Sequence, residues 1–531
     1  MKGVGKTTFS SQMGIESFEV EILGKMDNYL GKGQDLIVVR AIGEPFLKSN
    51  IPAGMSGSPI YIDGKLLGAL SYSFGTFTID AIGGVTPIVT MQKGSNIERK
   101  TLGQFGEMKP ISVPLVAVGL SSQVAEHFKS ELLERGFAEP ILGAGGLGES
   151  SRRSELIRPG DPFSAILIRG DMSLSALGTV THVEGNQFWG LGHGFLQNGQ
   201  SELPVAGAEI VTTVWGKGVP YKMGQPTNII GVLKTDRYSG VSAQLGKKPR
   251  FMPLEVKVGD KTWNYEVART VRDTPFLASI ALSNSLILSD IRELGGTYRI
   301  EVSAQTNRKE TVKYKRTVTA PGLPLEARVI ASFLEPIMMF QEQAFKNIEF
   351  TRVVVDVRHQ PEVRAVQLVG MSIPKDPKPG KGFEILVYGQ PWRKGLKKYR
   401  LRLPRFVPRY LKEYELVGLD RAQSLALERE AGFWAEQPNY QSFMQKVRSM
   451  PSDTQVCFYA KLKNPVRNLM GYNLTELPIS LKESLINVSS DSGLLFNSQI
   501  FRLGCAEMGA VVTGKVSKRY GKKKQSGAGK A

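Results

Sequence analysis

The chain has 531 residues, 41% of them hydrophobic and 22% charged, with a formal net charge of +19 at pH 7. That length is too great for a single hydrophobic core and suggests about three or four domains of ordinary globular composition. Four histidines (His127, His182, His193, His359) and two cysteines (Cys457, Cys505) exclude a rich metal site, and two thiols make no disulfide framework, although they could form one bridge in an oxidising compartment. No stretch approaches the roughly 18 apolar residues of a membrane-spanning helix. The first 25 residues lack the basic start, apolar run and small-residue cleavage site of a secretory signal, which leaves a cytoplasmic protein or a chain beginning downstream of its true start.

Glycine is abundant at 57 residues and helical periodicity is scarce, so strands and turns are expected to dominate. At the start, Gly3-Val4-Gly5-Lys6-Thr7-Thr8 imitates the end of a phosphate-binding loop. With the chain starting at Met1 it lacks the preceding strand and the motif's earlier glycine, so no nucleotide cofactor is expected. Phe18 to Leu23 alternates with period two, and Leu36 to Val39 is a continuous apolar strand. Ile60-Tyr61-Ile62 and Leu66 to Tyr72 flank an Asp63-Gly64 turn, a strong hairpin signal. Ser121 to Gly136 reads as an amphipathic helix with Val124, Phe128 and Leu132 on one face, and Gly143 to Gly148 as a flexible connector. Strand texture returns from Ala165 to about Val258, as Ile166 to Ile168, Gly178 to Thr181, and Phe188-Trp189 after an Asn186 turn. Beyond it lie Thr297 to Val302, Val353 to Val357, a proline-rich linker at Pro374 to Pro379, and two helices at about Arg421 to Trp434 and Tyr440 to Met450.

The chemistry concentrates in Gly54-Met55-Ser56-Gly57-Ser58-Pro59. A serine nucleophile needs a tight turn that exposes its hydroxyl, N–H groups aimed at the developing oxyanion, and a base within reach. Gly54 lets its own N–H and that of Ser56 point at one spot, and Gly57 tolerates the crowding after the nucleophile. The loop runs into Ile60-Tyr61-Ile62, Asp63-Gly64-Lys65-Leu66 and Gly68-Ala69-Leu70-Ser71-Tyr72. This extended pattern resembles the nucleophile loop and cleft strand of chymotrypsin-type enzymes. It is similar, more closely, to the stage IV sporulation protein B family of serine peptidases, with its Gly-Met-Ser-Gly-Ser-Pro motif. The bland alternative is a glycine-rich hairpin with no chemistry.

The base must be a histidine, since nothing else titrates near neutrality without heavy perturbation. His193, in Trp189-Gly190-Leu191-Gly192-His193-Gly194-Phe195, lies in a segment like the histidine region of the sporulation peptidases. His182 on the preceding strand is the alternative, and His127 reads as a surface or core filler. The order departs from the family, because here Ser56 precedes His193; a triad is defined by geometry and not by order. The family's aspartate position reads Ala41-Ile42-Gly43, so the acidic member is open: Asp35 first, then Asp236, then Glu44, with orientation by a backbone carbonyl as a further possibility.

The expected architecture is mainly β: a chymotrypsin-like double β-barrel followed by β-rich accessory domains with a few helices. Residues 1–100 would carry the nucleophile loop, 101–160 a helical connector, 161–258 the histidine barrel, 259–380 a β-rich accessory domain, and 381–531 a β-rich basic domain with a disordered tail. The expected function is serine endopeptidase action on a protein substrate through Ser56 and His193, with Gly54 and Ser56 as oxyanion donors and no cofactor or metal. The rival is a catalytically inactive protease-like scaffold that binds proteins or polyanions. Basic residues gather in Arg393 to Lys412 and Lys515 to Lys530, where interleaved aromatics could meet a polyanion or merely line a solvated face. The family resemblance implies an extracytoplasmic location, periplasmic or secreted.

Overall fold

Period-two alternation at the start of the chain becomes a closed barrel in the computed structural model. The structure describes residues 1–47, 49–74, 80–94, 108–143, 157–216, 218–270, 272–289, 296–319, 325–373, 383–403, 414–431, 439–469, 472–473 and 495–520. The first strands are β1 (Lys2–Thr7), β2 (Glu16–Gly31), β3 (Gln34–Ile42), β4 (Ser58–Ile62), β5 (Lys65–Ser73) and β6 (Ile82–Pro87). They are hydrogen-bonded in the order β4-β1-β2-β3-β6-β5, and β5 pairs back onto β4, so six antiparallel strands close on themselves. Phe18 and Val20, Val39, Ile60, Leu70 and Val85 fill the interior, one or two from each of five strands. The β4–β5 hairpin turns at Asp63 and Gly64 with φ of 48° and 74°, the left-handed pair that a two-residue turn of this twist requires. The segment that imitates a phosphate loop is β1, paired with β2 on one side and β4 on the other.

A short β7 (Lys109–Pro110) adds to β5, and the chain then enters a sheet of 13 strands. Its next members are β8 (Leu115–Val118), β9 (Ile141–Gly143), β10 (Pro162–Gly170), β11 (Ser173–Glu184), β12 (Gln187–Gly190), β13 (Gly199–Val214), β14 (Tyr221–Arg237) and β15 (Gly240–Leu245). Six of them pair in the order β10-β13-β14-β15-β12-β11, and β11 returns to β10, so this set also forms a ring of pairings. The strand β8 pairs with β11, which ties the stretch between the two rings into the second sheet. The helix expected from Ser121 to Gly136 breaks at Phe128 (φ −94°, ψ 3°) into α3 (Ser122–His127) and α4 (Lys129–Glu134), after the short α1 (Glu44–Leu47) and α2 (Ile88–Lys93). Val124, Phe128 and Leu132 are buried as one face across that break.

The sheet leaves the ring through β16 (Phe251–Val258) and β17 (Lys261–Ala268), and continues as β18 (Thr297–Thr306), β19 (Thr311–Thr319) and β20 (Phe350–Gln360). Two helices pack on this extension, α5 (Thr274–Leu288) and α6 (Leu325–Glu342). The Pro374 to Pro379 linker and residues 144–148 of the expected connector lie outside the described residues. Further on come β21 (Ala365–Ser372), β22 (Phe383–Pro391), β23 (Lys397–Leu403), β24 (Tyr414–Leu419), α7 (Arg421–Glu430), α8 (Tyr440–Arg448), β25 (Gln455–Leu469), β26 (Tyr472–Asn473), β27 (Leu495–Glu507), β28 (Val511–Thr513) and β29 (Lys515–Tyr520). They make a four-stranded sheet β23-β22-β21-β28 and a five-stranded sheet around β25.

One finding there revises the sequence reading, and a second is the single bridge that the two cysteines allowed. Lys515 to Tyr520, expected to open a disordered basic tail, is an ordered strand antiparallel to β24, because Val516 inserts into the core while Lys515, Lys518 and Arg519 stay exposed. Residues 521–531 lie outside the described residues. Cys457 and Cys505, directly opposite each other on β25 and β27, are joined by a disulfide. Replacing both by alanine should cost this unit about 2–4 kcal/mol of stability, read as a lower urea midpoint. An unchanged midpoint would mean that the crosslink constrains nothing the sheet does not already hold. Among the described residues no helix is long and apolar enough to cross a membrane.

Candidate active site

Ser56 lies on the loop between the end of β3 and the start of β4, and glycine chemistry explains the loop's shape. Gly57 has φ of 97°, and a Cβ there would sit 1.9 Å from the Thr179 carbonyl oxygen and 2.6 Å from the Leu191 nitrogen. Only glycine lets the chain press this closely onto β11 and the segment after β12. The approach is locked by hydrogen bonds: Thr179 N–H donates to Ser56 O at 3.0 Å, Thr181 Oγ1 to Gly57 O at 2.7 Å, and Gly57 N–H to Leu70 O at 2.9 Å. Ser56 is fully buried, and among the described residues its Oγ has no hydrogen-bond partner. A buried hydroxyl left this way costs about 1–3 kcal/mol, so it is a feature that requires an explanation.

The histidine segment meets the same loop from the other sheet. Leu191 and Gly192 stand between Gly57 on one side and β5 on the other, where a Cβ on Gly192 would lie 2.7 Å from that of Ala69 and 2.8 Å from that of Ser71. The Gly192 carbonyl accepts from Thr86 Oγ1 at 2.7 Å, and Thr86 in turn lies 2.7 Å from Ser71 Oγ. The structure therefore brings the Ser56 loop against the Leu191–Gly192 segment that precedes His193, while among the described residues no hydrogen bond joins Ser56 Oγ to His193. His193 is buried, with its ring edge-on to Tyr72 at 6.3 Å between centroids. Its Nδ1 lies 2.8 Å from Gly194 O, and a carbonyl can only accept, so Nδ1 is the donor there, which in a neutral ring leaves the lone pair on Nε2. His182, on β11, stacks on Trp189 of β12, and His127 is exposed on α3.

The acidic candidates part ways. Asp35 sits at the β2–β3 hairpin, where its two oxygens accept from Lys25 Nζ at 3.0 Å and from Asn28 N–H at 2.9 Å; these bonds, Asn28 first, hold its pKa below the ordinary value. Glu44 is exposed in the first turn of α1. Asp236, fully buried on β14, lies behind the turn that follows His193 and accepts from Phe195 N–H (2.7 Å), Leu196 N–H (2.7 Å) and Asn198 N–H (3.3 Å). Burial raises its pKa, against the pull of those N–H groups. One peptide joins the two residues: the carbonyl of Gly194 accepts a hydrogen bond from His193 Nδ1, while the N–H of the same Gly194–Phe195 peptide donates to Asp236. The carboxylate thus reaches the imidazole through a polarised peptide.

The expected oxyanion pair needs correction at one member. Gly54 N–H donates to Ser112 O at 3.1 Å, because the Ile111 to Pro114 segment lies over the loop, with Pro114 within 3.1–3.3 Å of where a Gly54 Cβ would be. Three residues that sequence reading passed over complete the site: Thr7, Thr179 and Lys222. Lys222 Nζ donates to Thr7 Oγ1 at 2.6 Å and to Thr179 Oγ1 at 3.2 Å. Strand parity was the one signal for Lys222, which shares its inward face with Gly224 and Pro226 while Tyr221, Met223 and Gln225 lie less deep. Among the described residues no group of three or more His, Cys, Asp or Glu could hold a metal ion. No protein-family model, no curated protein and no solved structure matches this chain.

Proposed function

We propose that the chain is a serine endopeptidase of chymotrypsin-like design, similar to the stage IV sporulation protein B peptidases, acting through Ser56 and His193. The observation that carries this reading is a buried serine hydroxyl without a hydrogen-bond partner among the described residues, on a loop packed directly against the segment of a histidine whose Nδ1 is committed to a carbonyl. Ser56 Oγ attacks the carbonyl carbon of a peptide bond while His193 Nε2 takes its proton. The proton passes to the departing amine, leaving an acyl ester on Ser56 that water then cleaves, again with His193 as base. Asp236 takes the place of a direct triad carboxylate by orienting His193 through the Gly194–Phe195 peptide. Two six-strand rings meeting at this loop support the double-barrel design, with the serine ring first in the chain. The Cys457–Cys505 disulfide supports an extracytoplasmic location, since such bonds persist in oxidising compartments. The test is incubation with a fluorophosphonate and location of the adduct by mass spectrometry: an adduct on Ser56 is expected, and none anywhere would remove the enzyme reading.

Two observations favour the rival, a catalytically inactive scaffold that binds proteins or polyanions: Ser56 has no exposure, and Gly54 N–H is occupied by Ser112. On either reading the basic C-terminal half is a polyanion surface separate from Ser56. The strand β23 exposes Lys398, Arg400 and Arg402 on one face and buries Leu401 and Leu403 on the other. Phe406 and Tyr410, two of the aromatics interleaved with the basic residues of Arg393 to Lys412, lie outside the described residues. Deleting residues 521–531 removes four lysines without touching β29. The truncated chain should elute from heparin at lower salt, with a salt dependence made shallower by the removal of those four cations, and should keep its labelling rate at Ser56. Loss of labelling with unchanged retention would assign the tail to the catalytic unit.

A further inference from the structure

We propose that Lys222 is a positioning residue that sets the backbone of the nucleophile loop, and with it the aim of the N–H groups that would stabilise the oxyanion. This rests on the serine-peptidase reading for its catalytic consequence, though not for the geometry. Three successive peptides precede Ser56, and Lys222 reaches the carbonyl of each. Its own backbone N–H donates to Ala53 O at 3.0 Å. Its ammonium donates to Thr179 Oγ1, which donates to Gly54 O at 2.9 Å. It also donates to Thr7 Oγ1, which lies 3.0 Å from the Ser58 hydroxyl, and that hydroxyl donates to Met55 O at 2.7 Å.

A trans peptide is planar, so its N–H points opposite to its carbonyl. Drawing the Met55 carbonyl inward aims the Ser56 N–H outward, and drawing the Ala53 carbonyl towards β14 aims the Gly54 N–H away from it, where Ser112 O now receives it. Of the two donors that chymotrypsin-like chemistry asks for, Lys222 thus aims the Ser56 N–H outward and, through its own backbone, holds the Gly54 N–H on Ser112 O. Only 1% of Lys222 is exposed, and a buried ammonium with two hydroxyl partners is a costly way to fill a core. Burial lowers its pKa to about 7, with Glu16 pulling the other way, whereas the unfolded value is near the ordinary 10.5. Its stabilising share is thus present at high pH and lost as pH falls towards about 7, below which the fold bears the full cost of the buried cation. The buried cation burdens the fold at neutral pH and below, while the hydrogen bonds it donates order the loop.

The experiment compares the full chain with Lys222→Met, and with Thr179→Val and Thr179→Ser, on a small ester and by backbone hydrogen exchange over Pro52 to Pro59. Lys222→Met is expected to lower kcat about tenfold or more, with KM within about twofold because the groups that hold the ester are untouched. Its exchange over the loop should accelerate by a similar factor, while its Tm at pH 6 stays at or above that of the unaltered chain. Thr179→Val should lose at least about tenfold more rate than Thr179→Ser, which keeps the hydroxyl; this pair decides the matter if Lys222→Met does not fold. Unchanged kcat together with unchanged exchange overturns the proposal. If neither the unaltered chain nor any variant turns over the ester, the peptidase reading falls, and the exchange rates still decide whether Lys222 orders the loop.

Discussion

Ser56→Ala is expected to abolish covalent labelling by a fluorophosphonate and to lower esterase turnover by about 10⁴-fold or more, leaving the circular dichroism spectrum unchanged. The size of the effect follows from the chemistry, since removing the attacking oxygen leaves only binding and oxyanion stabilisation to act on the substrate. The spectrum should not change, because among the described residues Ser56 Oγ makes no hydrogen bond, while the loop is held by the backbone of Ser56 and Gly57 against Thr179, Thr181 and Leu70. Removing an unpartnered buried hydroxyl should even leave Tm level or slightly higher. His193→Gln should match the loss in turnover, because a nucleophile and its base act as a unit and their losses do not add. Labelling that persists in Ser56→Ala, or that moves to Ser58, would take Ser56 out of the mechanism. Ser58 is a poor substitute, since its hydroxyl is already given to Met55 O.

Gly57→Ala carries the largest expected effect on folding. Its φ of 97° is strained for any L residue, and the added methyl would meet the Thr179 carbonyl oxygen at 1.9 Å, a backbone atom that cannot rotate away. The loop cannot retreat either, because Gly57 N–H and Gly57 O are bound to Leu70 on one sheet and Thr181 on the other. We expect a loss of about 3 kcal/mol or more, from positive-φ strain and overpacking together. Gly64→Ala is the matched control, with φ of 74° and nothing within 4 Å of its Cβ. It should cost only the conformational penalty of about 1–2 kcal/mol. Equal urea midpoints for the two variants would show that the close approach of the two sheets at Gly57 is not present in solution.

What the sequence determined by itself is local. Alternation in Phe18 to Leu23 set a strand with one buried face, Asp63-Gly64 set a tight hairpin, and Val124, Phe128 and Leu132 set a helical face that survives a break at Phe128. The loop Gly54 to Pro59 was legible for the same reason: glycine spacing before a strand dictates backbone shape over a few residues. The helix α5 was not legible, because it is buried almost all round and carries no polar stripe to give it a period. Nor was β29, since Lys-Val-Ser-Lys-Arg-Tyr, three of its six residues basic, reads as a tail until β24 offers a partner edge. Tertiary structure alone decided which of the acidic candidates lies near His193. Asp35, Asp236 and Glu44 all offer a carboxylate, and only chain return places Asp236, 43 residues after His193, under the Gly194–Phe195 peptide. It alone decided that Gly54 N–H is taken by Ser112 and that Lys222 lies behind the loop. Long-range hydrogen bonds between segments tens to hundreds of residues apart depend on how the sheets dock, and no local pattern of residues encodes that docking.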